Sequence, residues 1–349
     1  MAAEHLPFEL ISLPPADPEA HHAAEKRELL TKRRLPQFLS NHQRAALRYQ
    51  PSKDLLLAIN MALHTGSPLL LTGEPGTGKT QTADFVGGYF DIPVYKFLVK
   101  STSTAQDLLY EFDAVGYLHW AQSAGRQPPG QHAVELAALP PSSDAIATET
   151  QAVRHGFLHK RALWEAYETD GDAVVLIDEI DKAPRDFPND LLHELDQHSF
   201  PHPFNPRLMI RPRSERPPII IATSNEERRL PDAFLRRCIF HRIELTPALV
   251  EAAVESMARA AAGDLDGTSA GAGFPNLDRA AREAARKRFW EIRGRSEIEK
   301  KPSTAELLTW LCILSAQRID ALTLEGLGLR DLPGIEALIK DYEDLRRLG

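Results

Sequence analysis

Apolar residues along this chain follow two regimes, and the change between them comes near residue 250. Before it, short unbroken apolar runs alternate with stretches of helical periodicity. The runs "PLLLTG", "VYKFLV", "AVVLIDEID", "PPIIIATSN" and "IFHRIEL" have the length of strands. Strand–helix–strand order with runs this apolar predicts a parallel sheet whose strands are buried on both faces. Between the runs, "SKDLLLAINMALHTG", "KTQTADFVGGYF", "FLHKRALWEAYE" and "NDLLHELDQ" read as helices. Ser52 suits the N-cap of the first and Gly66 its stop, while Gly87 and Gly88 are expected to end the second. After Pro247 the strand signals cease. "ALVEAAVESMARAAA", "LDRAAREAARKRFWEIR", "STAELLTWLCILSAQRI" and "GIEALIKDYEDLRRL" carry apolar residues at i, i+3 and i+4, which predicts a helical lid.

The remaining stretches are punctuation. Residues 1–22 are rich in Pro, Ala and His and expected to be loosely ordered, and "AAEKRELLTKRRL" reads as a charged surface helix. Residues 121–153 form a Gln-, Pro- and Ser-rich insertion expected to be a long loop, and "GDLDGTSAGAGFPN" a flexible connector.

The first chemistry lies directly after the run "LLLT". "GEPGTGKT" (73–80) fits G-x-x-x-x-G-K-[ST] at every fixed position and opens a helix. Glycines 73, 76 and 78 let backbone N–H groups curl around phosphate oxygens, helped by the helix N-terminus. Lys79 then reaches the β- and γ-phosphates, and the Thr80 hydroxyl ligates Mg²⁺. Chance produces the pattern in roughly one chain in a hundred, so a plain Gly-rich turn is the weaker reading.

"VVLIDEID" (174–181) delivers Asp178 and Glu179 at the end of a buried strand, which is costly unless a cation waits there. Mg²⁺ supplies that partner for Asp178, and Glu179 can serve as general base toward the attacking water. An isolated pair would read as a helix cap; the phosphate loop upstream reverses that preference. "IIIATSN" (219–225) ends a further strand at Asn225, placed either to bond the γ-phosphate and water or to cap a turn. "LPDAFLRRC" (230–238) puts Arg236 and Arg237 at the end of a short helix, with Pro231 suited to its first turn.

Residues 73–80, 174–181, 219–225 and 230–238 together resemble the AAA+ ATPases. "SNEERRLPDAFLRRC" and "DEIDKAP" resemble the MoxR and dynein-related branch in particular. The resemblance covers roughly residues 50–250 and, more loosely, the lid. It implies an α/β P-loop NTPase three-layer sandwich with a parallel sheet, followed by an all-helical lid domain. The expected divisions are an N-terminal extension over 1–45, an ATPase core over 46–250 and a lid over 251–349. Gly73, Glu74, Pro75, Gly76, Thr77, Gly78, Lys79, Thr80 and Gln81 then bind ATP, with Lys79 also catalytic. Asp178 and Glu179 become Walker B, with Asp178 and Thr80 as the Mg²⁺ ligands, and Asn225 becomes sensor 1. The "RRC" ending is similar to the clamp-loader "SRC" motif, which makes Arg237 the first candidate and Arg236 the second for a finger acting in a neighbouring subunit. The implied activity is Mg²⁺-dependent ATP hydrolysis by a ring, a hexamer, that remodels a protein partner. Relatives in that branch often work with von Willebrand A domain proteins. One departure is plain: where the lid of this family often has Ser-Pro-Arg, this chain has "KKPSTAEL", leaving Lys300 or Lys301 as replacements, or none.

Composition narrows the alternatives. The chain has 349 residues, 43% hydrophobic and 26% charged, enough for a large domain and a smaller one. A net charge of −8 disfavours a nucleic-acid-binding chain, although "EKRELLTKRR" and "RLMIRPRSER" are locally basic. A DNA-dependent AAA+ motor or clamp-loader-like ATPase is therefore the second reading. "RLMIRPRSER" itself reads equally as a hairpin facing a ring centre or partner and as a solvated loop. A GTPase lacks its Asn-Lys-x-Asp element, a small-molecule kinase has no need of the long lid, and a scaffold with little turnover has no use for Glu179. Cys238 and Cys312 have no metal-type spacing and read as reduced, packed thiols. His193 and His198 are off the same-face spacing of a helical metal site. No run approaches the ~18 apolar residues of a membrane span, and the first residues lack a basic segment before an apolar one, so the location expected is cytoplasmic. Asp107 and Glu111, in a stretch resembling the substrate-facing loop region of this branch, read as surface residues.

Overall fold

The computed structural model of the chain describes residues 49, 51–124, 156–214, 216–261 and 274–348. The expected N-terminal helix, nearly all of the 121–153 insertion and most of the connector before Phe274 lie outside the described residues. The chain divides into two compact units. One takes in Lys53–Gly73 and Thr82–Ile243; the other takes in Glu74–Gln81 and, of the described residues, those after Ile243 together with Tyr49, Pro51 and Ser52.

The first unit is built on a five-stranded sheet in the order β2-β5-β8-β1-β9. Its strands are β1 (Leu69–Thr72), β2 (Val94–Leu98), β5 (Val174–Asp178), β8 (Ile219–Ser224) and β9 (Ile239–Arg242). Every pairing among them is parallel, as the unbroken apolar runs require. Leu69, Leu70 and Leu71, Val174 to Ile177, and Ile221 and Ala222 are all fully buried. Each such aliphatic side chain contributes about 1.5–3 kcal/mol on leaving water. The register sets Thr72 beside Ser224 and Leu98 beside Asp178, so the C-terminal ends of β2, β5, β8 and β1 lie along one end of the sheet.

Helices α1 (Lys53–Thr65) and α2 (Lys79–Phe90) flank β1 in sequence, and Gly66 stops α1 at φ 69°. Contrary to expectation, α2 runs straight through Gly87 and Gly88. A Cβ on Gly87 would lie 2.2 Å from Val94 Cγ2 and 3.1 Å from Ile92 O. The glycine therefore serves close packing of the helix on the start of β2 and does not break it. Gly87→Ala is expected to destabilise the protein by about 1–3 kcal/mol through overpacking, read as a lowered midpoint in thermal unfolding by circular dichroism.

Further elements depart from the sequence reading in detail. After α3 (Ala105–Leu109), the short strands β3 (Tyr110–Phe112) and β4 (Leu158–Lys160) pair antiparallel, so "FLHK" starts as strand, and only Ala162–Glu168 forms helix α5. Helix α4 (Ala114–Ala124) lies between those two strands in sequence. "NDLLHELDQ" is split between α6 (Phe187–Asp190) and α7 (Leu192–Gln197). Strands β6 (Phe200–His202) and β7 (Asn205–Ile210) form a hairpin that includes the start of "RLMIRPRSER". Pro231 is the N-cap of α8 (Asp232–Leu235), one position before its first turn.

The second unit holds the C-terminal helices α9 (Pro247–Ala261), α10 (Arg279–Gly294), α11 (Thr304–Gln317), α12 (Ala321–Gly326) and α13 (Tyr342–Arg347). Ala281, Ala285, Phe289 and Ile292 of α10 join Leu307, Trp310, Leu311 and Leu314 of α11 in one core, following the periodicity. "GIEALIKDYEDLRRL" is not one helix. A 3₁₀ turn over Ile335–Ala337 ends before Asp341, whose carboxylate accepts the Glu343 N–H at 2.9 Å and starts α13 afresh. The architecture is thus a parallel-sheet P-loop NTPase core followed by a C-terminal helical lid.

Candidate active site

The loop after β1 has the backbone its glycines suggest. Gly73 sits at φ 138°, and a Cβ there would lie 2.3 Å from Ile243 O, so no other residue fits that corner. Gly76 and Gly78 also have positive φ. Lys79 is 6% exposed; its ammonium donates to Glu74 O at 2.9 Å, and the Thr77 hydroxyl donates to the same oxygen at 2.9 Å. The loop thus curls around its own carbonyl, with Lys79 and Thr80 opening α2. Sequence reasoning missed Tyr49, whose ring packs so close to Gly78 that a Cβ there would meet it at 2.8 Å. Nothing in the spacing of residues signals that contact.

At the sheet edge, Asp178 is the last residue of β5 and Glu179 turns the chain sharply at φ 60°, ψ 49°. A left-handed glutamate is uncommon and needs outside support. Thr223 of β8 gives it: the Glu179 N–H donates to Thr223 Oγ1 at 2.9 Å, and that hydroxyl donates to Asp178 Oδ1 at 2.6 Å. Asn225 Nδ2 donates to Glu179 Oε1 at 3.2 Å, and Lys182 Nζ donates to Glu179 Oε2 at 2.6 Å. The hydrogen bond to Glu179 raises the Lys182 pKa, so this lysine is charged at neutral pH. The structure therefore brings together Asp178, Glu179 and Asn225 and joins Thr223 and Lys182 to them.

Asp181 is a third addition. It is 2% exposed, and its Oδ2 accepts the N–H of Asn225 at 3.1 Å and of Glu227 at 2.9 Å. It fixes the backbone of the turn that carries Asn225. Asp181→Ala leaves two N–H groups without that acceptor, each costing about 1–3 kcal/mol where water cannot reach. The expected result is a fall in unfolding free energy of roughly 2–4 kcal/mol in urea titration, with turnover reduced as Asn225 loses its place.

Arg237 stands apart from these carboxylates in its bonding. Its Nε donates to both oxygens of Asp196 at 2.8 Å, and its NH1 donates to Ala233 O at 2.9 Å. Arg236 is exposed.

Residues 69–247 match the model of the ATPase family associated with various cellular activities (AAA). The chain belongs to this AAA family. Membership carries nucleotide binding and hydrolysis in general terms, and the match spans the strands and loops just described. No curated protein matches the chain. Among solved structures, a provisionally assigned ATPase from Cytophaga hutchinsonii shares 13% identity at TM-score 0.38, over 93% of this chain and 87% of that one. RuvB of Thermotoga maritima, a Holliday junction branch migration motor, shares 16% identity at TM-score 0.39, over 85% of this chain and 66% of that one. A point variant of the same RuvB gives 16% identity and TM-score 0.40, over 78% and 66%. These are likenesses of fold alone.

The other sequence candidates of the AAA chain have ordinary roles. Asp107 closes a capping box with Thr104, and Glu111 pairs with Arg161. His198 caps the end of α7, its pKa lowered by burial, and the described residues contain no cluster of three or more His, Cys, Asp or Glu fit to hold a metal. Burial pushes the Cys238 thiol up to about 12 and Cys312 to about 11, so both are protonated and unreactive at neutral pH. Lys300 Nζ lies 3.5 Å from Asp341, and Lys301 is exposed. Within "RLMIRPRSER", Arg213 and Arg216 face Asp170 and Asp172 at 3.8 and 2.8 Å, which offsets part of its positive charge. No described helix is long and apolar enough to cross a membrane.

Proposed function

We propose that the chain is a Mg²⁺-dependent, MoxR-like ATPase, cytoplasmic, that assembles as a hexameric ring and remodels a protein partner. A von Willebrand A domain protein is one candidate for that partner, on the resemblance to the branch alone. The division into extension, core over 46–250 and lid over 251–349 belongs to the same reading. The observation that carries the hydrolytic part is the Asp178–Thr223–Glu179–Asn225 network, which fixes an acid pair and an amide at the edge where β1 hands over to the phosphate loop.

The roles follow from donor chemistry. Gly73 to Gln81 supply backbone N–H groups to phosphate, and Lys79 exchanges its Glu74 carbonyl for an anionic oxygen. Thr80 and Asp178 offer hydroxyl and carboxylate oxygens, the hard donors Mg²⁺ prefers, and Mg²⁺ needs only one or two from protein. Mg²⁺, when bound, would supply charge neutralisation to the transferred phosphoryl group. Glu179 accepts the proton of water once Lys182 or Asn225 releases an oxygen, and Asn225 orients that water.

Phosphate release by the wild type and by Glu179→Gln, with and without DNA, tests the reading. Turnover that requires Mg²⁺ and Glu179 and ignores DNA supports it, as does capture of a protein client by ATP-loaded Glu179→Gln. Turnover strongly stimulated by DNA would replace it with a DNA motor, and turnover without Glu179 would remove the mechanism.

A further inference from the structure

Arg293, near the end of α10, is only 8% exposed. A guanidinium taken from water is costly unless every face of it is occupied. Here NH1 donates to Pro302 O, NH2 donates to Glu74 Oε2 at 2.6 Å, and the group lies 5.8 Å from the ring centres of Phe289 and Trp290. Glu74 is the one acidic residue of the loop 73–81. Its carbonyl is also the acceptor of Thr77 and Lys79. Arg293 and Glu74 belong to the same compact unit of the fold.

Two consequences follow for a polyphosphate entering this loop. A carboxylate at Glu74, half exposed, opposes an anionic ligand unless a cation cancels it. The residue from which Lys79 and Thr77 hang must also stay in place for the loop to remain pre-formed, which spares ordering cost on binding. Arg293 answers both.

We infer that Arg293 is a positioning residue for nucleotide binding, acting through Glu74: it neutralises the loop's carboxylate and pins the loop in its phosphate-ready shape. The inference rests on the phosphate-loop reading above, and makes the C-terminal helices a determinant of nucleotide affinity without any contact of their own to phosphate.

Titration of fluorescent ATP and ADP analogues into the full chain and its variants tests it, with thermal melts to verify folding. Arg293→Met should weaken binding by about tenfold, and by less as salt rises from about 0.05 to 0.5 M. Arg293→Lys should keep most of the affinity. Glu74→Gln retains an acceptor for Arg293 but not the charge, and should bind about threefold more tightly than wild type. The deciding variant combines Arg293→Met with Glu74→Gln: removing the carboxylate should restore most of what removing the arginine cost.

Wild-type affinity in Arg293→Met, a loss that ignores salt, or a double variant as weak as Arg293→Met would each overturn the inference. If Arg293→Met does not fold, Glu74→Gln decides alone, and weaker binding than wild type overturns it. Lys79→Ala separates the two readings. Wild-type binding by Lys79→Ala overturns the phosphate loop and this inference with it; loss in Lys79→Ala beside full binding in Arg293→Met overturns this inference alone.

Discussion

Lys79→Ala is expected to lose nucleotide binding, whereas Glu179→Gln keeps binding and loses turnover. The two side chains sit in different bonding environments, which is why the effects separate. Lys79 is nearly buried and satisfied by a neutral carbonyl, Glu74 O. Exchange of that acceptor for an anionic phosphate oxygen turns an ion–dipole bond into a contact between opposite charges, which is stronger. Alanine removes that gain and the only mobile positive charge of the loop, so affinity should fall by at least about a hundredfold. Glu179 makes its bonds to Asn225, Lys182 and Thr223, none of which is in the loop. Glutamine preserves the shape and the acceptor for Asn225 but cannot take a proton, which removes about 10²–10⁴ of rate. Calorimetric titration with ATP and single-turnover phosphate release read the two effects independently. Equal ATP affinity in wild type and Lys79→Ala would sink the phosphate-loop assignment.

The sheet and the loop were legible because their signals are local. A strand buried on both faces must be apolar throughout, so "LLLT", "VVLID" and "IIIATS" announce β1, β5 and β8 without any knowledge of their neighbours. Their ends are also where polar residues appear, so Asp178, Glu179 and Asn225 stand out against the apolar run before them. What escaped depends on pairings across the chain. Thr223 bonds Asp178 from 45 residues away, Asp181 holds Asn225 across 44, and Arg293 reaches Glu74 across 219. Those contacts follow from strand register and helix packing, which periodicity does not encode. The same reasoning explains the misread glycines: Gly87 looks like a helix stop by propensity, and only the approach of Val94 shows why it is there. Strands of three residues, such as β3 and β4, are too short to show alternation at all.

Arg237→Ala is expected to bind ATP normally and to hydrolyse it about 10³–10⁵-fold more slowly, equivalent to roughly 4–7 kcal/mol of transition-state stabilisation. Its bonding is what makes a trans role physical. Within one chain its Nε is held by both oxygens of Asp196 and its NH1 by Ala233 O, while NH2 has no partner among the described residues. A guanidinium fixed at one end, 39% exposed and always charged, offers a rigid donor to an anion outside its own chain. Among the described residues no hydrogen bond or ion pair joins Arg237 to Glu179, whose side chain is held by Asn225 and Lys182. An exposed arginine with only the Asp196 pair to contribute would change activity by less than about twofold. Mixing Arg237→Ala with Glu179→Gln subunits, each inactive alone, separates these outcomes. Some interfaces then join an intact Glu179 to an intact Arg237 from next door, and phosphate release should partly return. Mixed assemblies that demonstrably form by light scattering yet stay inactive, or Arg237→Ala subunits that hydrolyse normally, would assign the role to Arg236 or remove the finger altogether.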